Sequence, residues 1–139
     1  MPGDNENIEI GKITKAMKVL SRDLHIPVIL LSQLNRKVED RTNPRPRPAD
    51  LRGSGAIEQD ADLICFLHRP ALYGEKTIKN ELDEDIDTVG IVEFIISKQR
   101  NGGIGTILLR HNPSITQITD YESRALISNN FSIDNIQKF

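Results

Sequence analysis

Three short apolar runs, each followed at once by polar residues, constrain the fold of this chain more than any other feature. They cover residues 26–31, 61–67 and 89–96. Each run has the length of a strand and is too short for a helix of its own. The first is continuously apolar, which predicts a central strand buried on both faces, as in a parallel sheet. All fall well short of the about 18 apolar residues that a membrane-spanning helix needs.

One long helix is predicted ahead of the first run. Apolar residues recur at three- and four-residue steps from Ile10 to Leu24, with lysines between them, which indicates an amphipathic helix. His25 and Pro27 should end it. A second, short helix is expected over residues 56–60. Helices that alternate with buried strands predict an α/β fold with a mostly parallel sheet and flanking helices.

The second half of the chain predicts a different arrangement. Asn101-Gly102-Gly103 follows the third run and is typical of a hairpin turn, with residues 104–109 as the returning strand. The sheet should therefore carry an antiparallel hairpin at its C-terminal end. Residues 115–119 are a candidate fifth strand. Residues 69–88 hold an acidic cluster and predict a partly disordered surface insertion.

Composition limits the classes of function. The chain has 139 residues, enough for one domain or for a part of a larger one. Its net charge is −2, so any anion site must be a local cluster of cations. The single cysteine, Cys65, lies inside an apolar run and is expected to be a buried reduced thiol of a cytoplasmic protein. One cysteine and three histidines without ligand spacing predict no metal site.

Three polar clusters follow the predicted strands, where open α/β sheets bind their ligands. Gln33, just after the first run, could hydrogen-bond a phosphate oxygen, although a strand-end glutamine is more often structural. Arg52-Gly53-Ser54-Gly55 could bring backbone N–H groups close to a phosphate, or be a plain flexible turn.

The third cluster contains Lys98 and Arg100, which should point the same way because side chains alternate along a strand. An arginine fork suits phosphate, but a solvated hairpin end is the simpler interpretation.

A phosphate-binding loop of the form G-x-x-x-x-G-K-[ST] does not occur in the sequence. Gly11-Lys12 is followed by Ile13, and it lies within the predicted helix. Before that helix there is also no apolar strand that ends in a magnesium-binding aspartate. If the chain contacts a nucleotide, the groups that hold its phosphates and metal must come from elsewhere.

Taken together, residues 8–121 resemble the C-terminal part of the RecA-like motor domain of DnaB-type bacterial replicative helicases. The similar stretches are LHIPVILLSQLNR at 24–36, RPADLRGSGAIEQDAD at 47–62 and IISKQRNG at 95–102. They occur in one collinear order. The resemblance implies a partial RecA-like P-loop NTPase core over residues 1–121, followed by a C-terminal tail at 122–139.

The resemblance also implies roles for particular residues. Gln33 would sense the γ-phosphate, while Lys98 and Arg100 would reach the ATP site of a neighbouring subunit, with Arg100 as the arginine finger. Arg52, Gly53 and Gly55 would contact single-stranded DNA. The family often has an acidic residue at the position of Gly53, so this chain departs from the family there and any DNA contact of Gly53 must come from its backbone.

The whole protein implied is a ring-shaped homo-hexameric helicase that uses ATP and Mg²⁺ and works with primase and a helicase loader. The metal ligands, the catalytic glutamate and the phosphate-binding loop of the family lie upstream of the matched part. We therefore expect a truncated or split product that does not hydrolyse ATP alone.

The alternatives are a non-catalytic module that binds single-stranded nucleic acid or docks on a helicase, a filament-forming recombinase-like ATPase, or an inert fragment.

Overall fold

The structure, a computed structural model, describes residues 2–121; the predicted tail at 122–139 lies outside the described residues. It contains two α-helices, α1 (Pro2–Leu24) and α2 (Ser54–Asp60). Neither of these helices is long and apolar enough to cross a membrane. The strands are β1 (Leu63–His68), β2 (Thr77–Lys79), β3 (Asp85–Asp87), β4 (Ile91–Gln99), β5 (Gly105–Asn112) and β6 (Gln117–Asp120).

Helix α1 confirms the predicted amphipathic helix and extends it toward the N-terminus. It ends where His25 adopts a left-handed conformation with φ of 53°. The N–H of His25 donates to the carbonyl of Arg22 at 3.3 Å, and that of Ile26 donates to Ser21 at 3.1 Å. This pair of bonds is a Schellman motif, which satisfies carbonyls that the last helical turn would leave free.

The covered face of α1 is narrower than the apolar pattern predicted. Ile10 packs against the core, Thr14 is buried, and Gly11 lies so close to α2 that an added Cβ would sit 3.3 Å from that of Ala56. Several residues predicted to be covered are exposed: Ile13, Leu20 and Leu24. The physical reason is that α1 turns its first half onto α2, while no described element covers the rest.

The prediction of a buried strand at residues 26–31 is wrong for this structure. The segment has no regular secondary structure, and the exposed fractions of Ile29 and Leu31 are 88% and 91%. A strand requires a neighbour for its backbone N–H and C=O groups, and no described strand lies beside this segment. Pairing begins only at Leu34, which bridges to Leu51.

The main sheet has the order β1-β4-β5-β6, and every neighbouring pair is antiparallel. The prediction of a mostly parallel sheet is therefore wrong. A parallel pair needs a crossover, usually a helix, whereas the chain between β1 and β4 holds only a short 3₁₀ turn and a small hairpin. The hairpin of β4 and β5 is confirmed, and β6 falls close to the predicted fifth strand.

The core lies between α2 and one face of the sheet. It consists of Leu51, Ile57, Ile64, Phe66 and Ile95. The second apolar run, at residues 61–67, does form a strand, β1, but burial alternates along it, so only one of its faces is buried. One face of the antiparallel sheet packs on α2. On the other face Leu63 and Leu67 of β1 are exposed, whereas Val92 of β4 is buried.

The insertion at residues 69–88 is ordered, contrary to the prediction of partial disorder. A 3₁₀ turn at Pro70–Tyr73 leads into the hairpin of β2 and β3, where Ile78 pairs with Ile86. The side chain of Asn80 closes the turn by accepting from the N–H groups of Leu82 and Glu84, both at 2.9 Å. The acidic residues themselves are on the surface, as predicted.

Candidate functional site

Lys98 and Arg100 both reach the C-terminal end of α2. The ammonium of Lys98 donates to the carbonyl of Ala61 at 2.8 Å and also to that of Glu58. The guanidinium of Arg100 donates from Nη2 to the carbonyl of Gln59 at 3.3 Å. The prediction that the two side chains point the same way is confirmed, and we call Lys98 and Arg100 the basic pair.

An irregularity in β4 directs the basic pair toward α2. Ile64 of β1 pairs with Lys98, but the next residue, Cys65, pairs with Ile96, so Ser97 is an extra residue on β4. Such a bulge bends its strand and increases the local twist. The strand end consequently turns over α2, and the N–H of Arg100 donates to the carbonyl of Asp62 at 2.9 Å.

The contacts of the basic pair give it a structural role within its own chain. The last carbonyls of a helix have no partner inside the helix, and the helix dipole places partial negative charge there. Lys98 and Arg100 satisfy these carbonyls and supply positive charge. Arg100 nevertheless has a 52% exposed side chain, so its guanidinium remains accessible to a second ligand.

Asp62 joins the basic pair to α1, a contact that sequence reasoning missed. Its Oδ1 lies 3.4 Å from Nε of Arg100, and its Oδ2 accepts from the ammonium of Lys18. The hydrogen bond from Lys18 holds the pKa of Asp62 below its ordinary value, against the opposing effect of desolvation, with help from the charges of Lys18, Arg100 and Lys98. The available signal was an acidic residue placed between a helix and a strand.

The segment Arg52–Gly55, which we call the glycine loop, forms the opposite end of α2, with Gly53 as the N-cap and Ser54 and Gly55 as the first two helical residues. Gly53 is in the left-handed region with φ of 67°, and an added Cβ would lie 2.8 Å from Cγ2 of Ile10. Around Gly55 an added Cβ would meet no atom within 4 Å. A side chain at position 53 would therefore be strained and crowded against Ile10 in this chain, whereas the glycine at 55 leaves open space beside the backbone.

Gln33 lies apart from the basic pair, on the exposed segment that precedes Leu34. It lines a cavity of about 350 Å³ together with His68 and Tyr73. His68 is only 3% exposed, its ring stacks on Tyr73 at 5.2 Å, and its Nε2 has no hydrogen-bond partner in the structure. Desolvation lowers the pKa of His68, opposed by the charges of Glu93 and Glu75.

The site residues fit a phosphate better than a metal ion. Two cations beside accessible space match the charge and donor geometry of a phosphate. Across residues 2–121, there is no group of three or more His, Cys, Asp or Glu residues that could hold a metal.

Comparison with known proteins identifies the family. A model described as "DnaB-like helicase C terminal domain" matches residues 1–120. The replicative DNA helicase DnaB of Buchnera aphidicola subsp. Schizaphis graminum is 46% identical over 118 residues, which are 85% of this chain and 23% of that protein. This chain thus spans about a quarter of the length of that curated relative.

Two solved structures are similar in fold and in sequence. One, described as an ATPase domain, superposes with a TM-score of 0.72 at 38% identity, covering 84% of this chain and 38% of that one. A DnaB-like replicative helicase, solved in a study of its interactions with primase, gives a TM-score of 0.71 at 39% identity, with 84% and 26% covered. The chain therefore belongs to the family of DnaB-like helicase C-terminal domains.

Proposed function

We propose that this chain is a part of the motor of a ring-shaped replicative DNA helicase, which couples ATP hydrolysis to movement along single-stranded DNA. Family membership supports the proposal, since the relatives are replicative helicases. The observation that carries it is the arrangement around α2. The basic pair lies at one end of this seven-residue helix and the glycine loop lies at the other.

Arg100 is proposed to act as an arginine finger on the ATP of a neighbouring subunit. A guanidinium can donate two hydrogen bonds to a transferring phosphoryl group and stabilise the charge that develops there. Lys98 would neutralise a second phosphate oxygen. Lys98 now donates to uncharged carbonyls, so a phosphate would offer it a charged and stronger acceptor. Arg100 could bind the same phosphate through guanidinium hydrogens other than the one that it donates to Gln59.

The glycine loop is proposed to contact single-stranded DNA through Arg52, Gly53 and Gly55. The open space beside Gly55 would let a phosphate of the DNA backbone approach the main chain closely. Gln33 is proposed to sense the γ-phosphate of ATP from its place beside the cavity at Leu34. Its exposure leaves its amide accessible to a ligand.

The complete protein would be a cytoplasmic homo-hexamer that uses ATP with Mg²⁺. The bound nucleotide would supply the phosphoryl group, and this chain's residues would bind and orient it from the far side of the subunit interface. Primase and a helicase loader are the further partners that we propose. The name of one similar structure reports interactions with primase, which supports the first of these.

A chimera tests the enzymatic proposal. It would carry this chain's segment in place of the matching 118 residues of the Buchnera helicase. In it, Arg100→Ala should lower kcat for ATP hydrolysis about 1,000-fold. The matched control is Lys79→Ala, because Lys79 lies in the small hairpin, where its ammonium contacts Asp83 and Asp85 of the same hairpin. Equal rates for Arg100→Ala and the unsubstituted chimera would refute the finger.

A non-catalytic module that binds single-stranded nucleic acid is the second candidate, because the glycine loop is complete within this chain. Binding of a fluorescent oligonucleotide to the 139-residue protein tests it directly. We expect weak affinity that falls with salt and is reduced by Arg52→Ala. Binding together with an inactive chimera would favour the module over the helicase.

A further inference from the structure

The carboxylate of Asp62 is shared between two cations from different elements. Oδ1 lies 3.4 Å from Nε of Arg100, at the end of β4, and Oδ2 accepts from Lys18 of α1. The backbone adds a third tie, since the N–H of Arg100 donates to the carbonyl of Asp62 at 2.9 Å. Asp62 therefore contacts Arg100 through both its main chain and its side chain.

These contacts use one side of the guanidinium and leave the other side open. Oδ1 of Asp62 forms an ion pair with Nε, and the carbonyl of Gln59 accepts from Nη2 at 3.3 Å. An arginine has five N–H donors in a planar fork. Within residues 2–121, no hydrogen bond uses the hydrogens of Nη1 or the second hydrogen of Nη2. Together these hydrogens form the end of the fork that can bind two phosphate oxygens.

We infer that Asp62 is a positioning residue for Arg100, holding its guanidinium edge-on so that the terminal nitrogens face the phosphoryl group of a neighbouring subunit's ATP. The inference rests on the proposed role of Arg100 as a finger. Asp62 does not touch the nucleotide and acts only through the orientation of Arg100. A side chain as long as arginine loses much of its catalytic value when it is displaced by about 1 Å.

A simpler role for Asp62 would be to tether α1 through Lys18, and the two roles make different predictions. Removing Lys18 breaks the tether but leaves the contact of Asp62 with Arg100 in place. Removing the charge of Asp62 breaks both contacts. Lys18→Met is therefore the matched control for Asp62→Asn, because both substitutions abolish the same ion pair with α1.

The main test is steady-state ATP hydrolysis by the chimera described above. Asp62→Asn should lower kcat about tenfold or more and leave KM for ATP nearly unchanged. Asp62→Glu should recover most of the loss, and Lys18→Met should stay within about twofold of the unsubstituted chimera. When Arg100 is already replaced by alanine, Asp62→Asn should lower kcat little further, because Asp62 acts only through Arg100.

The outcomes separate this inference from the proposed function. An Arg100→Ala chimera that keeps its full rate overturns the finger, and the inference with it. Loss of activity in Arg100→Ala with an unaffected Asp62→Asn variant overturns the positioning role alone. A loss in Lys18→Met as large as that in Asp62→Asn also overturns it, because Asp62 would then act as a tether.

A second measurement on the 139-residue chain does not depend on a working chimera. Nuclear magnetic resonance can follow exchange of the Nε–H of Arg100 with water. We expect exchange to become several-fold faster in Asp62→Asn and to change much less in Lys18→Met. Unchanged exchange in Asp62→Asn would overturn the contact on which the positioning role depends.

Discussion

Substitution of Gly53 by alanine should destabilise this chain strongly, and the structure gives the size of the effect. With φ at 67°, a residue other than glycine pays about 1 kcal/mol or more for the left-handed conformation. The new Cβ would also lie 2.8 Å from Cγ2 and 3.1 Å from Cβ of Ile10. Overpacking of this kind costs about 1–3 kcal/mol. We expect a total loss of about 2–4 kcal/mol in the free energy of unfolding.

Urea unfolding of the 139-residue chain measures this loss, and Gly55→Ala is the matched control. Gly55 lies in α2, and an added Cβ there meets no atom within 4 Å. Alanine is the better helix former, so Gly55→Ala should be neutral or should stabilise by up to about 1 kcal/mol. The urea midpoint should fall in Gly53→Ala and should stay unchanged or rise in Gly55→Ala, with little change in slope.

The substitution Ile10→Ala separates the steric part of the free-energy loss in Gly53→Ala from the part that comes from the backbone conformation. Shortening Ile10 removes the contact at 2.8 Å with Cγ2, while the contact at 3.1 Å with Cβ and the backbone strain stay in place. Gly53→Ala should therefore cost less in the Ile10→Ala background than in the unsubstituted chain. A loss of less than about 1 kcal/mol in Gly53→Ala would refute this account of the glycine loop.

Three further predictions follow from single buried groups. Thr88→Val should lower the free energy of unfolding by about 1–2 kcal/mol, because Thr88 is 1% exposed and its hydroxyl donates to the carbonyl of Glu75; an unchanged urea midpoint would contradict it. Burial lowers the pKa of His68 in the folded state. As the pH drops below about 6.5, the ordinary pKa of histidine, the unfolded state therefore binds more protons at this residue than the folded state does. Stability should fall as the pH drops through this value, and His68→Phe should flatten that part of the pH profile. Burial raises the pKa of Cys65, so iodoacetamide at pH 8 should alkylate it several-fold more slowly in buffer than in denaturant, and equal rates would contradict this.

Local features of the fold were predictable because the signals that specify them lie within a few residues. The periodicity of α1, its termination at His25 and the hairpin turn at Asn101-Gly102-Gly103 each depend on short-range sequence. Side-chain alternation correctly predicted that Lys98 and Arg100 share a direction. None of these features requires knowledge of a distant partner.

The features that were missed depend on distant partners. An apolar run such as residues 26–31 does not specify which strand will pair with it, and here it stays unpaired. β1 and β4 pair antiparallel. The connection between them is ordered by the hydrogen bonds of the Asn80 side chain and by the pairing of Ile78 with Ile86. Non-local pairing of this kind leaves little trace in composition.

The carboxylate of Asp62 was missed for the same reason. Its contacts come from α1 and from the end of β4, and the three elements converge only in the folded chain. The carbonyls at the end of α2 that receive the basic pair are main-chain groups, so the identities of their side chains do not reveal them. The sequence indicated that Lys98 and Arg100 could bind a phosphate, and the structure shows that both donate to main-chain carbonyls of their own chain.

The most direct test of the central claim is ATP hydrolysis by mixed rings of two chimeric variants. One variant carries Arg100→Ala with an intact phosphate-binding loop, and the other keeps Arg100 but has an inactivated phosphate-binding loop in the Buchnera part. Each ring alone should be inactive. If Arg100 acts across the subunit interface, mixing restores hydrolysis at interfaces where the two intact halves meet. Mixed rings that stay inactive, although shown to contain both variants, would contradict the account.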